Sequence, residues 1–311
     1  MSKYDTEVDL ANEGTSHAQI VDLVGFNKRV LDVGCASGYL AAVLRERGCS
    51  VWGVEMDPRA AAEGAEHFER VVVGDLETMD LGEELPSLEF DVVVFGDVLE
   101  HLRDPLPVLR RSRGLLARGG SVVVSVPNVA HGAIRLALLR GEFTYRELGL
   151  LDSTHVRFFT RDNLELLMNQ AGFVMVDTRR TVAGIFDTEI AIKPEDYSES
   201  LVEEVLEDRD ATTYQFVVRA VPDDGDQAVA EMSVRIQRLD RRTHALETEI
   251  ANAAATLTQR DAELTAERER VAAFERDLIA ARGELAAVAA TRSARALRIP
   301  RALYGRVRRM Q

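Results

Sequence analysis

Cysteine and lysine are nearly absent from this 311-residue chain. Its two cysteines, Cys35 and Cys49, form no Cys-x-x-Cys pair and no Cys/His cluster. That excludes a disulfide framework and a structural zinc site, and it suits a reducing compartment. No run of apolar residues approaches the length of a membrane span, and the start, "MSKYDTEVDLANEG", is polar and acidic where a secretory leader would be basic and then apolar. The expected location is the cytoplasm. Lysine occurs only at positions 3, 28 and 193, so arginine carries almost all the positive charge. The net charge is −14, yet residues 291–311 hold seven arginines and no acid. The acidic body therefore repels nucleic acid, whereas the tail can meet an anion.

What is present is an alternation. Apolar runs expected as strands are Arg29 to Val33, Ser50 to Val54, Arg70 to Val73, Phe90 to Phe95, Ser121 to Val126, Phe173 to Thr178 and Tyr214 to Ala220. Helical stretches lie between the first five: Gly38 to Arg47, Pro58 to His67, a short turn near Thr78, and Pro105 to Leu116. Continuous apolar strands separated by helices predict a doubly wound α/β fold, a mostly parallel sheet covered on both faces. The acidic stretch "PEDYSESLVEEVLEDRDA" reads as a solvated helix. The expected boundaries are a domain over 1–221, a linker over 222–230, a coiled coil over 231–292 and a basic tail over 293–311.

In a doubly wound sheet, ligands gather where the first strand turns into its helix. That turn reads Asp32-Val33-Gly34-Cys35-Ala36-Ser37-Gly38. A dinucleotide fingerprint needs glycine at 34, 36 and 39, but the chain has Ala36 and Tyr39, which speaks against NAD. Further along, Glu55 closes the second strand in "VWGVEMDP", Asp75-Leu76 closes the third in "VVVGDLE", and Asp97 follows the fourth in "FDVVVFGDVLEHLRDP". Taken in order, these motifs resemble the class I S-adenosylmethionine-dependent methyltransferases, with Ala36 in place of the middle glycine of motif I. The resemblance implies seven strands in the order 3-2-1-4-5-7-6, the seventh antiparallel, over about residues 1–221.

It also implies roles. Gly34, Ala36 and Gly38 let the chain pass close under S-adenosylmethionine, and Asp32 orients the loop or the cofactor's amino group. Glu55 accepts from the ribose hydroxyls. Met56 and Leu76 pack on the adenine, Asp75 accepts from its exocyclic amine, and Asp97 lies near the transferable methyl. The stretch "GLLDSTHVRFFT", with the N-terminal "YDTEVDL", is similar to a subgroup found with bacterial glycan and polysaccharide biosynthesis enzymes. A sugar or glycan hydroxyl is then the expected acceptor. The alternatives are N- or C-methylation of a small metabolite, quinone-like compounds included, and a non-catalytic scaffold.

An alcohol acceptor must lose a proton, and an imidazole is suited to take it near neutrality. His155 is the first candidate, with a loop histidine fixed by Asp152 and Arg157 as the structural alternative. His101 in "DVLEHL" is the second and His17 the third. Arg157 suits an anionic group on the acceptor or an ion pair equally. Asp97 and Asn128 could meet near the strand ends, but no Asp-Asp-Asn set for magnesium is legible, so no metal is expected.

From Glu231 the chain is helical in pattern, with apolar residues at both core positions of a heptad: Ile236, Ile250, Leu257, Leu264, Val271, Leu278 and Leu285 at a, and Leu239, Leu246, Phe274 and Val288 at d. Arg260 and Glu267 interrupt the d series. In a parallel pair the flanking residues match Arg235 with Asp240, Arg242 with Glu247, Glu263 with Arg268, Arg270 with Glu275, and Asp277 with Arg282. These pairs favour a parallel homodimer, while the charged layers at Arg260 and Glu267 keep an antiparallel or higher-order assembly open. The tail, where Leu297, Ile299, Leu303, Tyr304 and Val307 interleave with arginines, resembles a segment that lies on anionic lipid.

Overall fold

The computed structural model describes residues 8–85, 89–224 and 227–290. Its elements in chain order are α1 (Ser16–Val24), β1 (Arg29–Val33), α2 (Tyr39–Glu46), β2 (Ser50–Glu55), α3 (Pro58–Glu63), β3 (Arg70–Val73), α4 (Leu81–Glu84), β4 (Phe90–Gly96), α5 (Pro105–Arg113), β5 (Leu116–Pro127), α6 (Gly132–Leu139), α7 (Arg161–Gln170), β6 (Phe173–Val182), α8 (Glu199–Leu206), β7 (Thr213–Pro222) and α9 (Gln227–Ala290). Short 3-10 turns lie at Ala65–His67, Leu99–His101 and Pro194–Asp196.

The seven strands form one sheet in the order β3-β2-β1-β4-β5-β7-β6. β1 to β5 run parallel, and β7 is antiparallel to both β5 and β6. Alternate residues of the central strands serve opposite faces. On β4, Val93 and Phe95 join a core under α4, α5 and α7, while Val92 and Val94 join one under α1 and α2. Burial on both sides is why those strands read as unbroken apolar runs.

Several boundaries differ from expectation, each for a physical reason. The helix expected to run to His67 stops at Glu63, because Gly64 lies under the Ser37 backbone. The helix expected to reach Leu116 ends at Arg113, and Leu116 already pairs with Phe90 across a register shift. The acidic helix α8 is not wholly solvated: Val205 is buried, with Leu201 and Val202 packed against the cluster under α6. α9 begins at Gln227, inside the stretch expected as linker.

The chain divides into two compact units, Met1–Arg241 and Arg242–Gln311. Residues 291–311, which include the whole expected basic tail and its expected contact with lipid, lie outside the described residues. Among the described residues no helix is long and apolar enough to cross a membrane.

Candidate active site

The turn after β1 is built from left-handed backbone. Gly34, Ala36 and Gly38 have φ of 71°, 47° and 80°. A side chain at Gly34 would sit 2.6 Å from Val98 Cγ2, and one at Gly38 would sit 2.8 Å from Phe68. Ala36 bears a Cβ in this region at a cost of roughly 1–2 kcal/mol. Its amide offsets part of that by donating to Glu55 Oε2 at 2.8 Å.

Glu55 holds both sides of the turn, since its Oε1 accepts from Asp57 N, also at 2.8 Å. A carboxylate offers about four acceptor sites, so two remain for ribose hydroxyls. Asp32 is buried beneath the turn, and its Oδ2 has no partner among the described residues. Burial, and then the charge of Glu55, push its carboxyl up to about 7. An orphaned acid beneath a glycine-lined turn fits the cationic amino acid end of S-adenosylmethionine.

The expected adenine side is uneven. Met56 is 69% exposed and free to cover a ring. Leu76 is only 8% exposed and packs with the core, so it offers a ring an edge where Met56 offers a face. Asp75 Oδ1 accepts from the Glu77 amide at 2.9 Å, a turn-stabilising bond that leaves its other oxygen for an amine.

The close approach of Gly64 to this turn is invisible in the sequence. A Cβ there would stand 2.4 Å from Ser37 O and 2.5 Å from Ser37 C, both backbone. Gly64→Ala is expected to cost about 1–3 kcal/mol of stability by overpacking. Because the displaced segment is the cofactor turn, affinity for S-adenosylmethionine falls as well. Thermal unfolding with and without cofactor measures both, and an unchanged cofactor-induced shift would contradict the second effect.

Asp97 sits where β4, β5 and β7 meet, at φ 55°. Its amide donates to Ser125 Oγ at 2.9 Å, and its Oδ1 accepts from Ser125 Oγ at 2.7 Å and from Gln215 Nε2 at 2.9 Å. Gln215 and Ser125 carried no sequence signal. The adjacent 3-10 turn buries Glu100 at 1% exposure, and its main-chain oxygen accepts from Val156 N and Arg157 N at 2.9 and 3.0 Å. That pair of bonds pins "THVRFF" to the end of β4. Burial, and then Asp97, hold the Glu100 carboxyl well above the usual carboxylate range.

This pinning brings His101 and His155 together, with ring centroids 5.0 Å apart. Thr154 Oγ1 donates to Asp152 Oδ1 at 2.6 Å and meets His101 Nδ1 at 3.2 Å. Assigning the bonds this way puts the His101 proton on Nδ1. His155 is buried, and its Nδ1 has no partner among the described residues. Burial, followed by His101, lowers its pKa and keeps it unprotonated and able to accept. Arg157 is tied at its base, its guanidinium Nε donating to the Arg103 carbonyl at 2.8 Å, with other N–H donors left over. His17 lies against Tyr39, with its pKa lowered by burial and opposed by Asp97.

Asn128 is not a ligand for a cation beside Asp97. It is fully buried, donates to the Asp210 and Thr213 carbonyls and accepts from the Ala130 amide. The group with metal-compatible geometry is instead Glu100, His101 and His155, whose ligand atoms lie within 4.8 Å of one another. His131, also buried, is structural: Nδ1 caps the Ala133 amide, so Nε2 carries the proton toward the Ala183 carbonyl.

Next to Gln215 a cavity of about 420 Å³ opens between the start of α1 and the ends of β6 and β7. Thr15, Ser16, Thr181, Thr188, Asp187 and Glu189 contribute hydroxyls and carboxylates to its wall. Tyr214, the wall's aromatic residue, spends its hydroxyl on Glu189 Oε2 at 2.9 Å.

Comparison with known proteins gives one family match, the methyltransferase domain, over residues 18–178. Among curated relatives, the ubiquinone biosynthesis O-methyltransferase of Pseudomonas aeruginosa (strain LESB58) is 31% identical over 154 residues, 48% of this chain and 66% of that protein. The protein of the same name from Pseudomonas fluorescens (strain SBW25) is 32% identical over 161 residues, 50% of this chain and 68% of its own length. The chain thus spans about two thirds of these relatives, slightly less for the first. Among solved structures, a SAM-dependent methyltransferase from Archaeoglobus fulgidus is 18% identical with a TM-score of 0.49, covering 68% of this chain and 94% of that one.

Proposed function

Since the chain belongs to the methyltransferase-domain family and has the class I S-adenosylmethionine-dependent fold, we propose that it methylates a hydroxyl of a sugar-like, polyhydroxylated acceptor. The observation that supports the acceptor class is the cavity beside Gln215, whose wall mixes apolar surface with Thr15, Ser16, Thr181, Asp187 and Thr188, and whose Gln215 bonds to Asp97. A wall of this mixed kind can exchange hydrogen bonds with the hydroxyls of a polyol while its apolar surface packs on the C–H face of the ring.

When bound, S-adenosylmethionine supplies an electrophilic methyl carbon on a sulfonium. An acceptor hydroxyl would gain that methyl and give up its proton to a base that this chain supplies. Asp97, held by Ser125 and Gln215, orients the acceptor beside the cofactor. His155, kept neutral by burial, takes the proton. His101 and Thr154 position that imidazole, and Glu100 fixes the segment that bears it.

The test is transfer of isotopically labelled methyl from S-adenosylmethionine to nucleotide sugars and glycans in parallel with catechols. Label in a sugar hydroxyl supports the reading. Label confined to catechols favours the second reading, a phenol acceptor, which rests on the names of the Pseudomonas relatives. Label at nitrogen or carbon overturns both. With the acceptor in hand, His155→Gln is expected to lower kcat by about 10²-fold or more while leaving cofactor affinity unchanged. An unchanged kcat removes His155 as the base.

A further inference from the structure

α9 is one unbroken helix of 64 residues, about 96 Å long at 1.5 Å per residue. Among its described large apolar side chains, all but Ile279 fall on two lines of one heptad. Ile250, Leu257, Leu264, Val271, Leu278 and Leu285 recur every seven residues, and Leu239, Leu246, Phe274 and Val288 fall on the second line of the same heptad. All ten are exposed, between 48% and 76%. A seam of that length and composition is far more apolar surface than a lone helix sustains in water. Intrahelical ion pairing adds little, since Arg270 with Glu267 at 3.4 Å is an exposed surface pair.

We propose that the seam is covered by a second copy of this chain, forming a parallel, in-register, two-stranded coiled coil that makes the methyltransferase a dimer. The occupant is identified by charge. In a parallel pair each g residue meets the e residue five positions on in the partner helix. Three such pairs fall among the described side chains: Glu263 with Arg268, Arg270 with Glu275, and Asp277 with Arg282. Each is opposite in sign, and each occurs twice by symmetry. One sequence thus carries both halves of the match, as a self-complementary interface requires.

The interruptions argue for two strands. Arg260 and Glu267 occupy the d line, so identical charges face each other in those layers. In a two-stranded coil the core is narrow, and a long stem lies across it while the charged head reaches water at the edge. A wider core of three or four helices gives those heads no such exit and leaves them buried without partners. The two layers therefore cost stability and limit the number of strands.

The test is sedimentation equilibrium of the full chain at micromolar concentration. Twice the chain mass of 34.4 kDa is expected. Leu257→Asp with Leu264→Asp should give the monomer while the domain still binds S-adenosylmethionine. Arg260→Leu with Glu267→Leu should tighten the dimer by about tenfold or more, a gain that general damage to the helix cannot produce. For orientation, Ala281→Cys places a thiol on the d line, where a parallel in-register pair forms an interchain disulfide on oxidation. The native Cys35 and Cys49 are buried and do not compete. A monomeric wild type, a mass of three or four chains, a dimer that survives both aspartates, an unchanged dissociation constant after the leucine changes, or a dimer that fails to cross-link overturns the proposal.

Discussion

Replacing Glu55 by alanine is expected to weaken S-adenosylmethionine binding by roughly 10²- to 10³-fold, the largest single loss at the cofactor site. The estimate follows from what the carboxylate holds. It accepts from the amides of Ala36 and Asp57, which ties the turn after β1 to the end of β2. Two of its lone-pair sites remain, which is what acceptance from the ribose hydroxyls would require. Hydrogen bonds to a charged group contribute about 1.5–3 kcal/mol each, so losing the ribose pair and loosening the turn exceeds the roughly 1.4 kcal/mol that corresponds to a tenfold change. Glu55→Gln separates the two contributions. The amide keeps one acceptor oxygen but presents an N–H₂ to the other backbone donor, so an intermediate loss is expected. Calorimetric titration with S-adenosylmethionine and with its demethylated product reads both variants. Wild-type affinity in Glu55→Ala would remove this residue from the cofactor site, and no binding by the wild type would return weight to a scaffold.

The parts of this site that were legible in the sequence share one property: they sit where a strand ends. Asp32, Glu55, Asp75 and Asp97 each follow an apolar run, and burial of both sheet faces makes those runs conspicuous. The order of the strands was not legible from periodicity. It came from resemblance to a family and agrees with the sheet observed. What escaped were residues defined by approach in space. Gly64 looks like any helix-ending glycine until the Ser37 backbone is placed against it. Gln215 is the third residue of an antiparallel strand far along the chain, with no spacing that ties it to Asp97, 118 residues away. Glu100 reads as a loop acid, and only the fold shows it sealed beneath two amides of the acceptor segment. Leu76 stands after a strand end, and its burial in the core was equally invisible in the sequence.

Asp32→Asn is expected to act on stability and on binding with opposite signs. In the folded domain the carboxyl is raised to about 7, against 3.8 when unperturbed, because burial penalises its charge. Between those values the folded chain holds a proton that the unfolded chain has lost. Stability of the unliganded wild type therefore falls as pH rises through that window and levels off above the folded value. Asparagine has no proton to lose, so its curve is flat over this range, and its stability relative to wild type should improve by about 2–3 kcal/mol between roughly pH 5 and pH 8. Cofactor binding runs the other way. A cationic amino group favours the ionised carboxylate, so wild-type affinity rises with pH up to neutrality and binding below that point releases a proton. Titrations in buffers of different ionisation heat count that proton directly. Asp32→Asn should bind S-adenosylmethionine more weakly at neutral pH and release none. A variant that binds as tightly as wild type, or a wild type that releases no proton, would place Asp32 outside the recognition of the cofactor and leave it a member of the loop's internal structure alone.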